Sequence, residues 1–231
     1  MENFVVSARK YRPQEFDTVV GQAHITDTLE HAIDENQLAQ ALLFCGPRGV
    51  GKTTCARILA RKINERDGST SDDGFSYNIF ELDAASNNSV EDIRELTDQV
   101  RFAPQVGKYK IYIIDEVHML SSAAFNAFLK TLEEPPAHAI FILATTEKHK
   151  IIPTILSRCQ IYDFKRIVIE DIQNHLKGIA EKEGIQYEDD ALYLVAQKAD
   201  GALRDALSIF DRLSTFTQKN ITLAKAAEVL N

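Results

Sequence analysis

The chain has 231 residues, of which 45% are hydrophobic, and its formal net charge at pH 7 is −8. This length allows one large or two modest domains, each with a substantial core. The negative charge argues against a protein that coats nucleic acid through a broad basic face, although it permits a local basic strip. No stretch approaches the roughly 20 apolar residues of a membrane helix, and the N-terminus lacks the basic and apolar segments of a signal peptide. We therefore expect a cytoplasmic protein without membrane contact.

Strands and helices alternate through the first two thirds of the chain. The apolar runs predict strands at about 41–45, 78–83, 109–114, 139–144 and 159–163, and helical periodicity predicts helices at about 23–36, 52–65, 89–101, 121–133 and 153–157. Ser89 and Ser121 are the expected caps of two of these helices. Because the two types alternate, we predict an α/β domain over residues 1–167, with a five-stranded parallel sheet and helices on both faces.

Only helical periodicity follows residue 167. Helices are predicted at about 169–183, 188–199, 201–215 and 222–230, separated by glycine and polar breaks. This pattern predicts a small all-helical domain over residues 168–231. Within the first domain, the polar stretch 65–74 is rich in Gly, Ser and Asp and predicts a mobile surface loop.

Residues 46–53 read G-P-R-G-V-G-K-T and lie between a predicted strand and a predicted helix. This is the phosphate-binding loop, in which backbone N–H groups and a helix N-terminus surround a polyphosphate. Lys52 would reach the β- and γ-phosphates, and the Thr53 hydroxyl would bind Mg²⁺. The remaining predicted contacts are made by loop and first-turn residues, namely Gly46, Pro47, Gly49, Val50, Gly51 and Thr54. The sequence thus predicts that ATP or GTP binds here.

Acidic and hydroxyl residues follow two further strands. Asp115 ends an apolar run and can hold Mg²⁺ directly or through water, while Glu116 is placed to polarise an attacking water. Thr145 and Thr146 follow the next strand, where a hydroxyl could orient that water or contact the γ-phosphate. An acidic strand end or a threonine is common by itself, and the preceding phosphate loop makes the functional interpretation the better one.

Three cysteines, Cys45, Cys55 and Cys159, lie in or beside apolar segments. They form no C-x-x-C pair, so we expect reduced core thiols rather than disulfides or a metal site. Two arginines, Arg158 and Arg204, begin or end predicted helices, and a surface salt bridge is the ordinary interpretation of each by itself.

The motifs together resemble the AAA+ clamp-loader ATPases, and among them the gamma/tau subunits of bacterial DNA polymerase III. The resemblance spans nearly the whole chain. Besides the phosphate loop and Asp115-Glu116-Val117-His118-Met119-Leu120, it is carried by Arg9-Lys10-Tyr11-Arg12-Pro13, Phe16-x-x-Val19-Val20-Gly21-Gln22, Leu82-Asp83-Ala84-Ala85-Ser86-Asn87-Asn88, Leu132-Glu133-Glu134-Pro135-Pro136, Ser157-Arg158-Cys159 and Gly201-x-x-Arg204-Asp205-Ala206.

The resemblance implies a P-loop AAA+ fold with a helical lid, using ATP or ADP with Mg²⁺. It assigns the adenine and ribose to Ala8, Tyr11, Arg12, Pro13, Val19 and Val20. Thr146 would be the first sensor and Arg204 the second. Arg158 would be an arginine finger that reaches the nucleotide of a neighbouring subunit, a role worth roughly 10³–10⁵ in rate in comparable enzymes. The implied partners are other clamp-loader subunits in a pentamer, a sliding clamp and primer–template DNA.

Two departures from the family pattern matter. Gamma/tau subunits typically carry a four-cysteine zinc module after the phosphate-loop helix, whereas residues 62–78 contain no cysteine, so zinc is not predicted. The chain also stops where the family continues into a helical collar, so we expect the first two domains of a longer protein. Three rival interpretations are a non-hydrolysing clamp-loader subunit, a branch-migration helicase motor and a protein-unfolding AAA+ enzyme.

Overall fold

The computed structural model describes residues 5–65 and 78–230. Most of the stretch predicted as a mobile loop, 66–74, lies outside these residues. In chain order the elements are α1 (Ser7–Lys10), α2 (Ala23–Asp34), β1 (Ala41–Cys45), α3 (Lys52–Glu65), β2 (Ile79–Asp83), α4 (Val90–Val100), β3 (Lys110–Asp115), α5 (Ser122–Glu133), β4 (Ala139–Thr145), α6 (Pro153–Leu156), β5 (Gln160–Asp163), α7 (Ile169–Glu183), β6 (Gln186–Tyr187), α8 (Asp189–Lys198), α9 (Leu203–Phe216), β7 (Asn220–Ile221) and α10 (Leu223–Leu230). Short 3₁₀ turns at Phe16–Thr18, Val117–Met119 and Lys148–Lys150 complete the list.

The chain divides into two compact units. Unit 1 takes in the described residues of Met1–Ala23, Pro47–Gly51 and Lys165–Asn231. Unit 2 takes in those of His24–Gly46 and Lys52–Phe164. The boundary predicted at residue 167 follows chain order alone, and it stays a prediction.

Unit 2 is built on a five-stranded parallel sheet with the strand order β2-β3-β4-β1-β5. The two strands β1 and β4 are buried along their whole lengths, as expected for central strands that are covered on both faces. The chain leaves β1 toward one edge of the sheet and returns through β4 to β5 at the other. Such a switch in strand order opens a crevice at the carboxyl ends of the strands, where ligands bind in this class of sheet.

The register brings the polar strand ends to one edge. Cys45 at the end of β1 pairs with Thr145 at the end of β4, and Asp83 pairs with Asp115 at the end of β3. The predicted helix caps are also confirmed. Ser89 forms a capping box with Asp92 at the start of α4, and the Ser121 side chain accepts from the Ala124 amide at the start of α5. The sheet therefore places the end of β1, from which the phosphate loop continues, and the acidic end of β3 at the same edge.

Unit 1 packs the N-terminal segment on a helical core. Helices α7, α8 and α9 bury Leu176, Val195 and Phe210, and the half-buried Ala8 and Tyr11 pack against this cluster. The amide of Ser7 in α1 donates to Asp211 Oδ2 in α9 over 2.8 Å. A feature that periodicity did not predict is the parallel pair of two-residue strands β6 and β7. Within the described part of the chain, no helix is long and apolar enough to span a bilayer.

Candidate active site

The phosphate loop leaves β1 through Gly46, a position that only glycine can occupy. Gly46 has φ +147°, and a Cβ there would lie 2.4 Å from the carbonyl oxygen of Phe164. Gly51, the last loop residue before α3, has φ +105°. A Cβ at Gly51 would meet none of the described atoms within 4 Å, so the loop leaves open space on that side. The two glycines thus give the loop its path and leave room beside its backbone.

Lys52 begins α3 and is buried, with 6% of its surface exposed. Its Nζ donates to the carbonyl oxygen of Gly46 over 2.8 Å. Burial lowers the pKa of Lys52, and the nearby carboxylates of Glu116 and Asp115 oppose that shift. A desolvated ammonium beside the start of the loop is suited to bind an anionic group, because added negative charge would again favour its charged form.

Thr53 and Asp115 come from different elements and touch directly. The Thr53 hydroxyl, on α3, donates to Asp115 Oδ2, at the end of β3, over 2.7 Å. A hydroxyl and a carboxylate oxygen are ligands that Mg²⁺ accepts, and Mg²⁺ usually keeps several waters beside one or two carboxylates. The donor set therefore fits a magnesium ion that is bound partly by protein and partly by substrate phosphate.

Glu116 follows Asp115 in a left-handed conformation with φ 48° and ψ 44°. This conformation costs a residue with a side chain roughly 1–3 kcal/mol and persists only where neighbours hold it. The Glu116 amide donates to Asp115 Oδ1 over 2.9 Å, which anchors the turn. Its carboxylate accepts from the Thr146 amide over 3.1 Å and from the Thr146 hydroxyl over 2.9 Å. The predicted base and the predicted first sensor are thus hydrogen-bonded to each other.

In unit 1, loop residues 47–51 contact the segments that carry the other predicted binding residues. The amide of Arg204, in the first turn of α9, donates to the carbonyl oxygen of Gly49 over 3.3 Å. The buried Gln22 side chain donates to the carbonyl oxygen of Lys165 over 2.7 Å and lies 3.4 Å from that of Val50. The backbone of Arg204 therefore lies beside the phosphate loop.

Three of the residues assigned to the adenine and ribose line a cavity in unit 1. Tyr11, Arg12 and Pro13 form one wall, and α7 contributes the other, including His175. The cavity has a volume of about 420 Å³. Burial lowers the pKa of His175, and its Nε2 is buried without a hydrogen-bond partner among the described residues. Because Nε2 is itself buried, the observation that bears on a ligand here is the cavity with its wall of Tyr11, Arg12 and Pro13.

Three further residues assigned to the adenine and ribose lie on the same N-terminal segment. Ala8 and Val20 are half-buried and pack against the core of unit 1. Val19 ends the 3₁₀ turn Phe16–Thr18. Thr54, a predicted phosphate-loop contact rather than one to the adenine or ribose, lies on the first turn of α3 in unit 2 and is half-buried.

Arg158 follows α6 and is held at the surface of unit 2. Its NH2 group donates to Glu133 Oε1 over 2.7 Å, and its NH1 group donates to the carbonyl oxygen of Thr154 over 2.6 Å. NH1 also lies 3.4 Å from Ser157 Oγ. These three partners are not among the predicted site residues, so the structure does not bring Arg158 into contact with Lys52 or Glu116.

The expected absence of zinc concerns the His, Cys, Asp and Glu side chains that could act as ligands. No cluster of three or more His, Cys, Asp or Glu side chains that could hold a metal occurs within residues 5–65 and 78–230. Burial raises the pKa of Cys55 and of Cys159 to about 12, which favours the reduced, protonated thiol. The segment on which the zinc prediction chiefly depends lies at 66–77, outside the described residues, so the expected absence of zinc stays a prediction.

Comparison with known families identifies the chain. Residues 21–168 match the family described as DNA polymerase III, delta subunit, and residues 171–218 match the DNA polymerase III clamp loader subunit, ATPase lid domain. The tau subunit of DNA polymerase III from Bacillus subtilis is 49% identical over 221 residues. The chain belongs to the gamma/tau family of DNA polymerase III clamp-loader subunits.

Further relatives fix how much of the family this chain represents. The alignment with the Bacillus subtilis tau subunit covers 90% of this chain and 39% of that protein. The tau subunit of Escherichia coli is 46% identical, with 91% of this chain and 34% of that protein covered. A gamma subunit from Buchnera aphidicola is 41% identical, with 99% and 66% covered. The chain thus spans between a third and two fifths of the length of the tau subunits it matches.

Solved structures bear out the predicted fold class. The Holliday junction branch migration motor RuvB from Thermotoga maritima superposes with a TM-score of 0.73, covering 94% of this chain and 71% of that one. Their sequences are 21% identical, so this similarity concerns the AAA+ fold alone. The α/β domain with a parallel sheet and the following helical lid are both confirmed.

Sequence reasoning missed two contacts of the site. His118 Nδ1 lies 2.9 Å from Thr145 Oγ1 and 3.3 Å from Glu116 Oε2, although the sequence singles out His118 only as part of a family motif. Gln22, likewise noted only within a motif, is the buried contact to the phosphate loop in unit 1. A polar residue in an otherwise apolar stretch was the available signal for both.

Proposed function

We propose that this chain is the ATPase motor part of a clamp-loader subunit, which uses ATP binding and hydrolysis to open a sliding clamp and load it on primer–template DNA. The observation that carries the proposal is the direct hydrogen bond from Thr53 to Asp115 over 2.7 Å. It joins the phosphate-loop helix to the acidic end of β3, as a Mg²⁺-dependent phosphoryl-transfer site requires. Membership in the gamma/tau family supports the same function.

Each residue at the sheet edge has a role in this proposal. Lys52 neutralises the β- and γ-phosphates, while Thr53 and Asp115 hold Mg²⁺. When bound, Mg²⁺ supplies charge that neutralises the transferring phosphoryl group. Glu116 accepts a proton from the attacking water, and Thr146 senses the γ-phosphate through the hydroxyl that now donates to Glu116. The mutual contact of Glu116 and Thr146 supports a coupled action of the two.

In unit 1 the proposal assigns the nucleotide's phosphates to loop residues 47–51 and to Arg204. The hydrogen bond from the Arg204 amide to Gly49 supports this assignment because it fixes the first turn of α9 beside the loop. The base and ribose are assigned to Ala8, Tyr11, Arg12, Pro13, Val19 and Val20. The cavity beside Tyr11 is consistent with a heterocyclic base.

Arg158 is proposed to act on the nucleotide of a neighbouring subunit. Its guanidinium is paired to the exposed Glu133 at the surface rather than to its own chain's site residues. The proposed partners are the other subunits of a pentamer, the sliding clamp and DNA, and this role implies a cytoplasmic location. A non-hydrolysing subunit is disfavoured because Lys52, Thr53, Asp115 and Glu116 are all present. The family membership disfavours a branch-migration motor and a protein-unfolding enzyme.

The test uses the full-length protein assembled with its partner subunits. ATP hydrolysis is measured alone, with primed DNA, with the sliding clamp, and with both. The proposal predicts that both together stimulate hydrolysis more than either one. Stimulation by branched DNA in the absence of a clamp would instead favour a branch-migration motor, and no hydrolysis in any condition would favour the non-hydrolysing subunit.

A further inference from the structure

One oxygen of Glu116 collects the contacts that orient this side chain. The amide and hydroxyl of Thr146 donate to Oε2 over 3.1 Å and 2.9 Å. His118 Nδ1 lies 3.3 Å from the same oxygen. Among the described residues, Oε1 receives no recorded hydrogen bond, so the carboxylate is held by one oxygen while the other is left to accept a proton.

The imidazole of His118 is itself fixed. Its side chain is 6% exposed, although it lies on the short turn that follows Glu116. Nδ1 lies 2.9 Å from Thr145 Oγ1, and this hydroxyl oxygen also accepts from the Glu147 amide over 3.0 Å. Thr145 is fully buried at the end of β4, so the ring is anchored to one of the most buried strands of the sheet.

The charge of Glu116 decides which tautomer this arrangement favours. A lone pair on Nδ1 at 3.3 Å from a carboxylate oxygen would be repelled, whereas an N–H bond there is attracted. The favoured tautomer therefore carries its hydrogen on Nδ1, directed to Thr145 Oγ1, with the positive end of that bond beside Glu116 Oε2. The backbone of Glu116 is left-handed, and such a conformation needs neighbours that hold it.

We infer that His118, anchored by Thr145, is a positioning residue for Glu116. It holds Oε2 in place so that Oε1 takes the proton of the attacking water. This inference rests on the proposed function, in which Glu116 is the base of ATP hydrolysis. His118 contacts no substrate in this account and acts through Glu116 alone.

The test compares variants of the full-length protein in its assembled complex, with ATP affinity and the single-turnover rate of ATP hydrolysis measured for each. His118→Leu removes the N–H, so Glu116 Oε2 loses the positive end of that bond, and the hydrolysis rate should fall roughly 10- to 100-fold while ATP affinity stays unchanged. His118→Asn keeps a donor near the Nδ1 position and should restore the rate to within about threefold of the parent. His149→Leu, at an exposed histidine of the same unit, is the matched control and should change neither quantity.

Two further variants separate positioning from folding. Thr145→Val keeps the shape of a buried side chain but removes the hydroxyl, and should lower the rate in the same direction as His118→Leu. In a Glu116→Gln background, His118→Leu should have no additional effect, because a residue that acts only through Glu116 has nothing left to position. Unchanged ATP affinity in each variant shows that the site is folded.

Three results would overturn the inference. They are a parental rate in His118→Leu, a further loss of rate when His118→Leu is added to Glu116→Gln, and a parallel loss of ATP affinity that His118→Asn does not restore. The Glu116→Gln variant keeps these failures apart from failure of the proposed function. If Glu116→Gln hydrolyses ATP normally, the base assignment is wrong; if it is inactive while His118→Leu is normal, only the role of His118 is wrong.

Discussion

Two regions of unit 2 hold their functional residues in opposite ways. At the carboxyl edge of the sheet, the predicted residues contact each other: Thr53 donates to Asp115, and Thr146 donates to Glu116. Arg158, which follows α6, is paired instead with Glu133. The Arg158 side chain is 33% exposed and that of Glu133 is 48% exposed. The first region carries its own partners, whereas the second presents a charge at the surface.

The difference in hydrogen-bond partners sets what each region can do. Groups that hold one another in place act without reorganisation when charge develops in the reaction, which makes their electrostatic effect large. An exposed salt bridge such as Arg158–Glu133 contributes only about 0–1 kcal/mol. Arg158 can therefore exchange Glu133 for a more highly charged partner at little cost. Under the proposed function, the binding and water-activating groups belong to one chain, whereas Arg158 acts on the nucleotide of another.

The largest expected effect is that of Arg158→Ala, and it should depend on assembly. In the assembled complex with clamp and DNA, this change should lower stimulated ATP hydrolysis by roughly 10³- to 10⁵-fold. In the isolated 231-residue chain, which should hydrolyse ATP slowly, the same change should have little effect. Arg101→Ala, at an exposed arginine paired with Asp98, is the control. A large loss in a chain shown to be monomeric would rule out action on a neighbour.

Lys52→Ala should remove the buried charge of the first region. Because the ammonium faces the β- and γ-phosphates in the proposal, ATP affinity should fall by at least about 100-fold in the isolated chain. Equilibrium titration with a fluorescent ATP analogue measures this, with the exposed Lys130→Ala as control. Near-parental affinity of the Lys52 variant would refute the assignment of the phosphate loop.

Arg204→Ala sharpens the comparison because this arginine belongs to unit 1 of the same chain. The change should weaken ATP binding about tenfold, the scale of one lost charge-assisted hydrogen bond, in the isolated chain as well as in the complex. The same titration applied in both contexts decides the point. An effect confined to the assembled complex would mean that Arg204, like Arg158, serves a neighbour.

The smallest effect concerns the attachment of the N-terminal segment in unit 1. Lys10 and Tyr11 both donate to the Glu183 carboxylate, and these hydrogen bonds lower the pKa of Glu183 below its usual value of 4.5. A lowered pKa in the folded state contributes stability that is present above the unfolded pKa and is lost as the pH falls through the folded value. Glu183→Gln should therefore reduce the melting temperature by at most a few degrees near neutral pH, and the difference should vanish in acid. A difference in melting temperature that does not shrink as the pH falls below 4.5 would contradict this assignment.

Much of the fold could be predicted from the sequence. The five predicted runs match the five strands of the large sheet to within about one residue at each end. The central strands β1, β3 and β4 are buried and largely apolar, whereas the edge strands β2 and β5 are more exposed and carry polar residues. The short helix Ser7–Lys10 and the two-residue strands β6 and β7 were not predicted. Helix α1 is a single turn with no side-chain cap, whereas the equally short α6 begins with a proline, and two residues cannot show alternation.

The site could be predicted from the sequence where adjacent residues of one motif carry the predicted roles. Lys52 and Thr53 follow the loop directly, Asp115 ends β3, and Glu116 follows it. The parallel register of β3, β4 and β1 brings these strand ends to one edge of the sheet. The Thr145–His118–Glu116 contacts and the Arg158–Glu133 pair were not predicted. They depend on side chains that meet through tertiary packing, and nothing in the spacing of these residues specifies which pairs form.

The most direct test of the account separates ATP binding from hydrolysis in Glu116→Gln. The account predicts that this variant binds ATP with parental affinity, because Lys52, Thr53 and Asp115 are intact. Its hydrolysis rate in the assembled complex should fall by roughly 10²- to 10⁴-fold, since the water loses its base. A parental rate in Glu116→Gln, measured by single-turnover hydrolysis with unchanged ATP affinity, would contradict the assignment of the carboxyl edge of the sheet as the catalytic centre.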